Sequence, residues 1–435
     1  MTAASVTAPA RSTNSPRRIA AAQIIGTTIE WYDFFIFGTA SALVFNTIFF
    51  PEFDPLTGTL FAFATFGVGL VARPLGGIIF GHIGDRIGRK TTLVVTLILM
   101  GVSTVAIGLL PTFDTVGIVA PILLVVLRII QGISVGGEWG GAVLIGVEHA
   151  SPSKKALFGS FAQLGSPIAL VLSTLAFLAV SFGSPEWMHD WGWRIPFLAS
   201  VILIPVGLYI RSRVSESHEF KEASKKPKPE RLPILEVLHR SWKQLLIGVG
   251  VASGIFVTYY LFVTFVQAYA KNTLGMPQSI SLPANIIAAV FEGGALMLGA
   301  WLSVKVGGRR IAIIGAAALV VCAIPSFMLV STGEPWALYL ATAVSMTALG
   351  LPYGVIAAEI ALMFKTQVRY TGLSLSYNVS SALGGGLSPV LATLFLGWTG
   401  NLWGVAIMTL IVSVIMLLSC IALPKRDFSD DVQES

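Results

Sequence analysis

The chain is a succession of long apolar runs separated by short polar punctuation, without the alternation that marks a half-buried strand. A membrane-spanning helix needs about 20 mostly apolar residues. By that measure twelve runs qualify, at 21–49, 59–81, 91–110, 117–147, 156–182, 193–211, 244–270, 281–304, 310–331, 335–362, 372–397 and 401–423. Between the sixth and seventh lies one long polar stretch, Arg211 to Lys243, whose KEASKKPKPERLP segment is too charged and proline-rich to insert. The pattern predicts an all-α polytopic membrane protein. Its expected parts are a tail at 1–18, a six-helix half at 19–211, a linker at 212–243, a second six-helix half at 244–424 and a tail at 425–435.

Composition agrees: 54% of residues are hydrophobic, 11% are charged, and the mean hydropathy is +0.80. Residues 1–18 are small, polar and basic, with no apolar core of a cleavable signal. The charges set the orientation. With both termini in the cytoplasm, 24 of the 28 lysines and arginines fall on the cytoplasmic side, nine of them in the linker. An odd number of spans would turn several of these clusters outward. A multi-pass protein of the cell (inner or plasma) membrane is expected, with the lipid bilayer as its surroundings and a monomer as its state. The net charge of +6 is spread over loops and forms no nucleic-acid patch. Cys322 and Cys420 sit inside apolar runs, far apart and without metal-ligand spacing, and read as buried free thiols.

The two halves echo each other. GDRIGRK after the second run returns as GGRR after the eighth, pairing Gly88 with Gly308. VEHASPSKKALFGS after the fourth returns as AEIALMFKTQVRYTG after the tenth, pairing Glu148 with Glu359. The offsets, 220 and 211 residues, nearly agree.

GHIGDRIGRK resembles the loop signature of the major facilitator superfamily. EWYDFFIFG, RPLGG, QGISVGGEWGGA, WGWRIPF and RYTGLSLSYN narrow the resemblance to the metabolite:proton symporters, a family that includes permeases for shikimate, α-ketoglutarate, citrate and proline/betaine. The likeness runs from Gly26 onward and is nearest to the shikimate-permease type. It implies the major facilitator fold, with twelve helices as two pseudo-symmetric halves. It also implies transport by alternating access, with a proton as coupling ion and no other cofactor. The second half departs from the family at Lys305, where an acid is usual, so a symmetric gating role for that loop is not implied.

A charge in the bilayer core is costly and asks for a partner or a task. Glu30 and Asp33 stand one helical step apart among Trp31, Tyr32, Phe34 and Phe35, with Cβ atoms about 5–6 Å apart. Two acids so close cannot both ionise comfortably in a dry site. In similar facilitators an acid of the first span faces an arginine of the fourth, and Asp33 and Arg128 are the matching positions. Such a pair either couples proton to substrate or serves as a structural ion pair. Glu138 lies ten residues beyond Arg128, about 15 Å along a helix. Arg73 is its expected partner. Glu292 has no basic span residue near it in sequence, and a cation contact, a second proton site and no special role stay open.

The loop after the second span reads as a gate. Asp85 and Arg89 are its working pair by resemblance, with Arg86 beside them and Glu148 as the acid that meets Arg89. Gly81, Gly84 and Gly88 permit a tight turn. Gln131, Gln163, Tyr259, Tyr260, Gln267, Tyr377 and Asn378, with Arg128, are candidates to line a substrate cavity, each equally able to join two helices. Trp187, Trp191, Trp193, Trp336, Trp398 and Trp403 fall at expected outer ends and read as interface anchors.

No enzyme, metal site or ATP-binding loop is expected. His82, His149, His189, His218 and His239 lie at loops or span ends without ligand spacing. The expected activity is proton-coupled uptake of a small organic metabolite, first an organic acid such as shikimate or an aromatic or dicarboxylic acid. The alternatives are a proton-antiporting exporter and a symporter of a zwitterion such as betaine.

Overall fold

The computed structural model describes residues 16–87, 89–136, 139–140, 143–144, 147, 155–213, 233–365 and 368–425, and within them leaves aside the side chains of 16–19, 81–87, 89–91, 93, 185, 210–213 and 233. Among the described residues there are helices and no strand. The long ones are α1 (Pro16–Leu43), α2 (Pro55–Ile87), α3 (Arg89–Gly108), α4 (Val119–Val135), α5 (Lys155–Val180) and α6 (Met188–Tyr209). They continue with α7 (Trp242–Asn272), α8 (Pro283–Val306), α9 (Gly308–Ser331), α10 (Pro335–Met363), α11 (Arg369–Thr399) and α12 (Trp403–Ala422). Nine of the described helices, α2 and α5 to α12, are long and apolar enough to cross a membrane. In α3 and α4 the apolar stretches, Val94–Gly108 and Val119–Val135, are shorter. Gln23, Glu30, Asp33 and three threonines dilute the apolar character of α1.

Large apolar side chains remain exposed around the bundle, among them Val321, Ile202, Ile118 and Leu109. In water that would be costly; facing lipid tails it needs no partner. Helix is the secondary structure that satisfies its own backbone in hydrocarbon, which explains why Pro74, Pro325 and Pro352 are carried inside helices rather than ending them.

With no hydrophobic drive between helices in lipid, contact depends on close approach. The α2–α4 crossing illustrates this. A Cβ on Gly132 would lie 2.0 Å from the carbonyl oxygen of Gly69, and one on Gly136 would lie 1.9 Å from that of Arg73. One on Gly76 would lie 1.9 Å from the carbonyl oxygen of Ile133. These backbones touch, and the two buried arginines, Arg73 on α2 and Arg128 on α4, are carried by this crossing. Three of the described helices are locally widened to a π turn, α6 at Met188–Gly192, α7 at Leu261–Phe265 and α11 at Ser381–Gly386. Such turns sit where side chains must be re-aimed.

The first and second halves of the chain meet at both ends of the bundle. At the end where α1 finishes, the Lys271 ammonium donates to the carbonyl of Leu43, and Asn272 Nδ2 donates to Thr59 Oγ1 at 3.2 Å. Toward the other end, Asn378 Nδ2 donates to the Gly136 carbonyl at 3.0 Å, and Trp139 stacks on Tyr377 with centroids 3.4 Å apart. Among the described residues these contacts bridge the two halves on either side of the bundle. Outside the apolar layer, Asp54 opens α2: the Thr57 side chain and the N–H groups of Thr57 and Leu56, at 3.2 and 3.1 Å, hold its carboxyl below the usual range.

In the second half the echoed loop closes on itself. Glu359 Oε1 lies 2.1 Å from where a Cβ on Gly308 would stand, so the acid of α10 sits against the start of α9, where the helix dipole favours it. Gly307 makes the preceding turn with φ +90°, a conformation open to glycine. Lys305 turns its ammonium over the Trp301 ring at 4.1 Å.

One tryptophan corrects the sequence reading. Trp187, Trp191, Trp336, Trp398 and Trp403 are exposed, but Trp193 is buried, edge-on to Phe45 and Phe49 at 5.7 Å each. It is a core side chain, not an interface anchor. Cys322 and Cys420 are free thiols, the first half-buried and the second buried.

The glycine crossing makes a prediction. Gly132→Ala forces α2 and α4 apart and destabilises the detergent-purified protein by about 1–3 kcal/mol, read as a lowered thermal midpoint. The same change at Gly294, where a Cβ meets nothing within 4 Å, leaves the midpoint unmoved.

Candidate functional site

The site begins on α1, where the three-residue spacing of Glu30 and Asp33 turns both acids into the bundle, each 2% exposed. Each finds a different answer to its burial. Glu30 forms a direct ion pair with Arg73 of α2. The other terminal nitrogen of Arg73, Nη1, reaches across to Ser381 Oγ in the π turn of α11 at 3.5 Å.

Asp33 has no direct cation; no arginine or lysine nitrogen of the described residues lies within 4.0 Å of it. Its link to Arg128 is a relay. Arg128 Nη1 donates to Gln131 Oε1 at 2.5 Å, and Gln131 Nε2 donates to Thr104 Oγ1 at 2.7 Å. Thr104 Oγ1 then donates to Asp33 Oδ2 at 2.9 Å, with the Met100 carbonyl at 3.0 Å as its alternative acceptor. Every donor in the series points toward the acid. Four atoms of these charged groups are left over in the closed site: Asp33 Oδ1, the Nε of Arg73, and the Nε and Nη2 of Arg128 have no hydrogen-bond partner.

Aromatic faces take up what remains of the positive charge. The Arg128 guanidinium lies over Phe37, Phe34 and Phe66, 4.2, 4.3 and 5.0 Å from the ring centroids. Arg73 lies over Phe34 at 4.6 Å and Trp31 at 5.5 Å. Phe34 therefore serves both arginines.

A second polar group stands further along the interface between the halves. Ser166 of α5 donates to Glu292 Oε1 of α8 at 3.2 Å and lies 3.4 Å from the Tyr259 hydroxyl of α7. Beside it is a cavity with room for about one water. Trp31, Ser166, Ile255, Phe256, Tyr259, Tyr260 and Tyr353 line it.

The remaining candidates divide. Gln163 Oε1 accepts from Trp139 Nε1 at 2.8 Å and so orients the ring that stacks on Tyr377, whose hydroxyl is 3.3 Å from that of Tyr353. Tyr260 faces the cavity with its hydroxyl unpartnered. Asn378 is taken up by the Gly136 carbonyl. Gln267 donates to Asn285 Oδ1 at 3.0 Å and joins α7 to α8 away from the charges. Arg73 pairs with Glu30, and its expected contact with Glu138 falls on a position outside the described residues. Glu138, Glu148 and Gly88 lie outside the described residues, as do the side chains of Asp85, Arg86 and Arg89 and the surroundings of Gly81 and Gly84. Thr104, Ser166 and Ser381 escaped the sequence reading. A hydroxyl in an apolar run usually bonds its own helix, and nothing in the string distinguishes these three.

Comparison with known proteins fits this architecture. The Major Facilitator Superfamily profile matches residues 23–375. The chain belongs to the major facilitator superfamily. A putative metabolite transport protein of Haemophilus influenzae is 40% identical over 392 residues, covering 87% of this chain and 88% of that protein. The shikimate transporter of Escherichia coli K12 is 39% identical over 405 residues, covering 91% and 92%. Among solved structures, a D-xylose-proton symporter superposes with a TM-score of 0.71 at 18% identity, covering 94% of this chain and 97% of that one. This facilitator is thus a multi-pass membrane transporter of a small molecule, and not an enzyme.

The relay of this facilitator can be cut at one atom. Thr104→Val keeps the shape but leaves Asp33 and the Gln131 amide facing methyl groups. A loss of about 1–3 kcal/mol is expected, measured as a lower thermal midpoint in detergent, with Thr104→Ser close to the wild type.

Proposed function

We propose that this transporter couples inward movement of a proton to uptake of a small organic acid, with Asp33 as the proton acceptor and Arg128 as the anion contact. The observation that carries this is the charge count of the buried site. Among the described residues, Glu30, Asp33, Arg73 and Arg128 sum to zero in a buried interior that tolerates little net charge. Glu30 is engaged directly by Arg73, so Asp33, reached only through the relay, is the acid open to a proton.

Protonating Asp33, whose Oδ1 is vacant, removes one negative charge and weakens Oδ2 as an acceptor. The Thr104 hydroxyl then turns to the Met100 carbonyl, 3.0 Å away. The site carries a net positive charge, held at an arginine with two unpartnered N–H positions. A carboxylate restores neutrality there, and a guanidinium binds one well because it stays charged and presents forked donors. Proton and anion thus enter as a neutral pair. Alternating access of two six-helix halves, split at the linker and with both termini in the cytoplasm, would carry that pair across. The 39% identity to a shikimate transporter supports an acid of that kind.

The test uses purified protein in liposomes with an internal pH dye, with shikimate, α-ketoglutarate, citrate, protocatechuate and betaine added outside in turn. One acid is expected to acidify the lumen. Asp33→Asn should abolish that signal and gradient-driven accumulation while exchange of labelled substrate survives. Loss of accumulation and exchange together would leave Asp33 a structural residue. Proton entry driven by substrate leaving the lumen would replace symport with export.

A further inference from the structure

Glu292 is the buried acid that the charge count above does not use. It is fully buried in α8, and no arginine, lysine or histidine nitrogen of the described residues lies within 4.0 Å of it. Ser166 Oγ, from the first half of the chain, meets Oε1, and Oε2 has no partner. The ionisable groups that face it are phenols, Tyr259 of α7 and Tyr353 of α10. Lys305 on the same helix is thirteen residues away, about 20 Å. Lys155 stands eleven residues before Ser166 on α5.

An ionised carboxylate with one hydroxyl donor and no cation is among the costliest states in a bilayer core. Some positive ligand must remove that cost. The neighbouring cavity has room for about one water, so an ammonium-bearing metabolite does not fit beside Glu292 in this conformation. A proton does. The position also ties occupancy to conformation, because α5 and α8 come from different halves. They are in close contact here: a Cβ on Gly293 would lie 3.4 Å from Pro167 Cγ. Separating these helices withdraws the Ser166 hydroxyl and admits water to the carboxyl.

We propose that Glu292 is a second proton-binding site of this transporter, neutral while the α5–α8 interface is closed and ionised once that interface opens to water. The inference rests on the proton-coupled reading for its consequence: a cycle moves two protons with each substrate, one on Asp33 and one on Glu292.

Infrared spectra of the purified protein at neutral pH test the protonation itself and need no substrate. Wild type should show a neutral-carboxyl C=O band that Glu292→Gln lacks. Ser166→Ala should retain the band at shifted frequency, and this identifies it even if Glu292→Gln fails to fold. A spectrum in which neither variant changes a neutral-carboxyl band means that Glu292 is ionised, and overturns the proposal. In liposomes, with shikimate as the probe, Glu292→Gln should halve the proton-to-substrate ratio while exchange continues. An unchanged ratio, or a wild-type ratio of one, overturns the coupling role. If wild type moves shikimate without protons, the proton-coupled reading falls, while the infrared result still decides the state of Glu292.

Discussion

The need to keep net charge out of a closed, lipid-surrounded interior governs this molecule. Among the described residues, two carboxyl groups and two guanidinium groups meet between α1, α2 and α4, each at most 2% exposed. They are tolerable together because their charges cancel, and because Phe34, Phe37, Phe66 and Trp31 offer ring faces to the two guanidinium groups. Removing one charge leaves its partner exposed to a medium that cannot solvate it, a change of several kcal/mol. On the proposed reading, a site built this way does not accept a proton by itself or an anion by itself.

The rest of the fold serves that constraint. The α2–α4 crossing has no room for a single Cβ at Gly132 or Gly136, and this closeness places Arg73 and Arg128 around one phenylalanine. The π turns in α7 and α11 widen helices where the two halves of the chain meet: Ser381 faces Arg73, and Gly385 lies against Tyr260. Contacts among the described residues, through Lys271 and Asn272 at one end and Asn378 and Tyr377 toward the other, bridge the halves on either side of the buried charges.

Much of this was legible in the string of residues. Long apolar runs require helices in a membrane, and a buried charge announces itself because its cost is large. That is why Glu30, Asp33, Arg73, Arg128 and Glu292 stand out in the sequence. Who pairs with whom was less visible. Glu30 and Asp33 are equivalent by spacing, and the choice of Arg73 for one and a relay for the other depends on how closely α2 and α4 approach. Thr104 and Ser166 were hidden for the opposite reason: a hydroxyl in a helix costs little and so carries little information. Trp193 shows the same limit, since a tryptophan near a span end suits an interface or a core equally until its neighbours are known.

Linkage between proton and substrate binding is the centre of this account, and calorimetry reads it most directly. Shikimate, or whichever acid the transporter takes, is titrated into the purified protein at one pH in buffers of different ionisation enthalpy. The dependence of the observed heat on buffer gives the protons taken up per ligand bound. Uptake of protons on binding is predicted, reduced when Asp33 is replaced by Asn. Binding with no buffer dependence would contradict the claim that proton and anion enter this site as a pair.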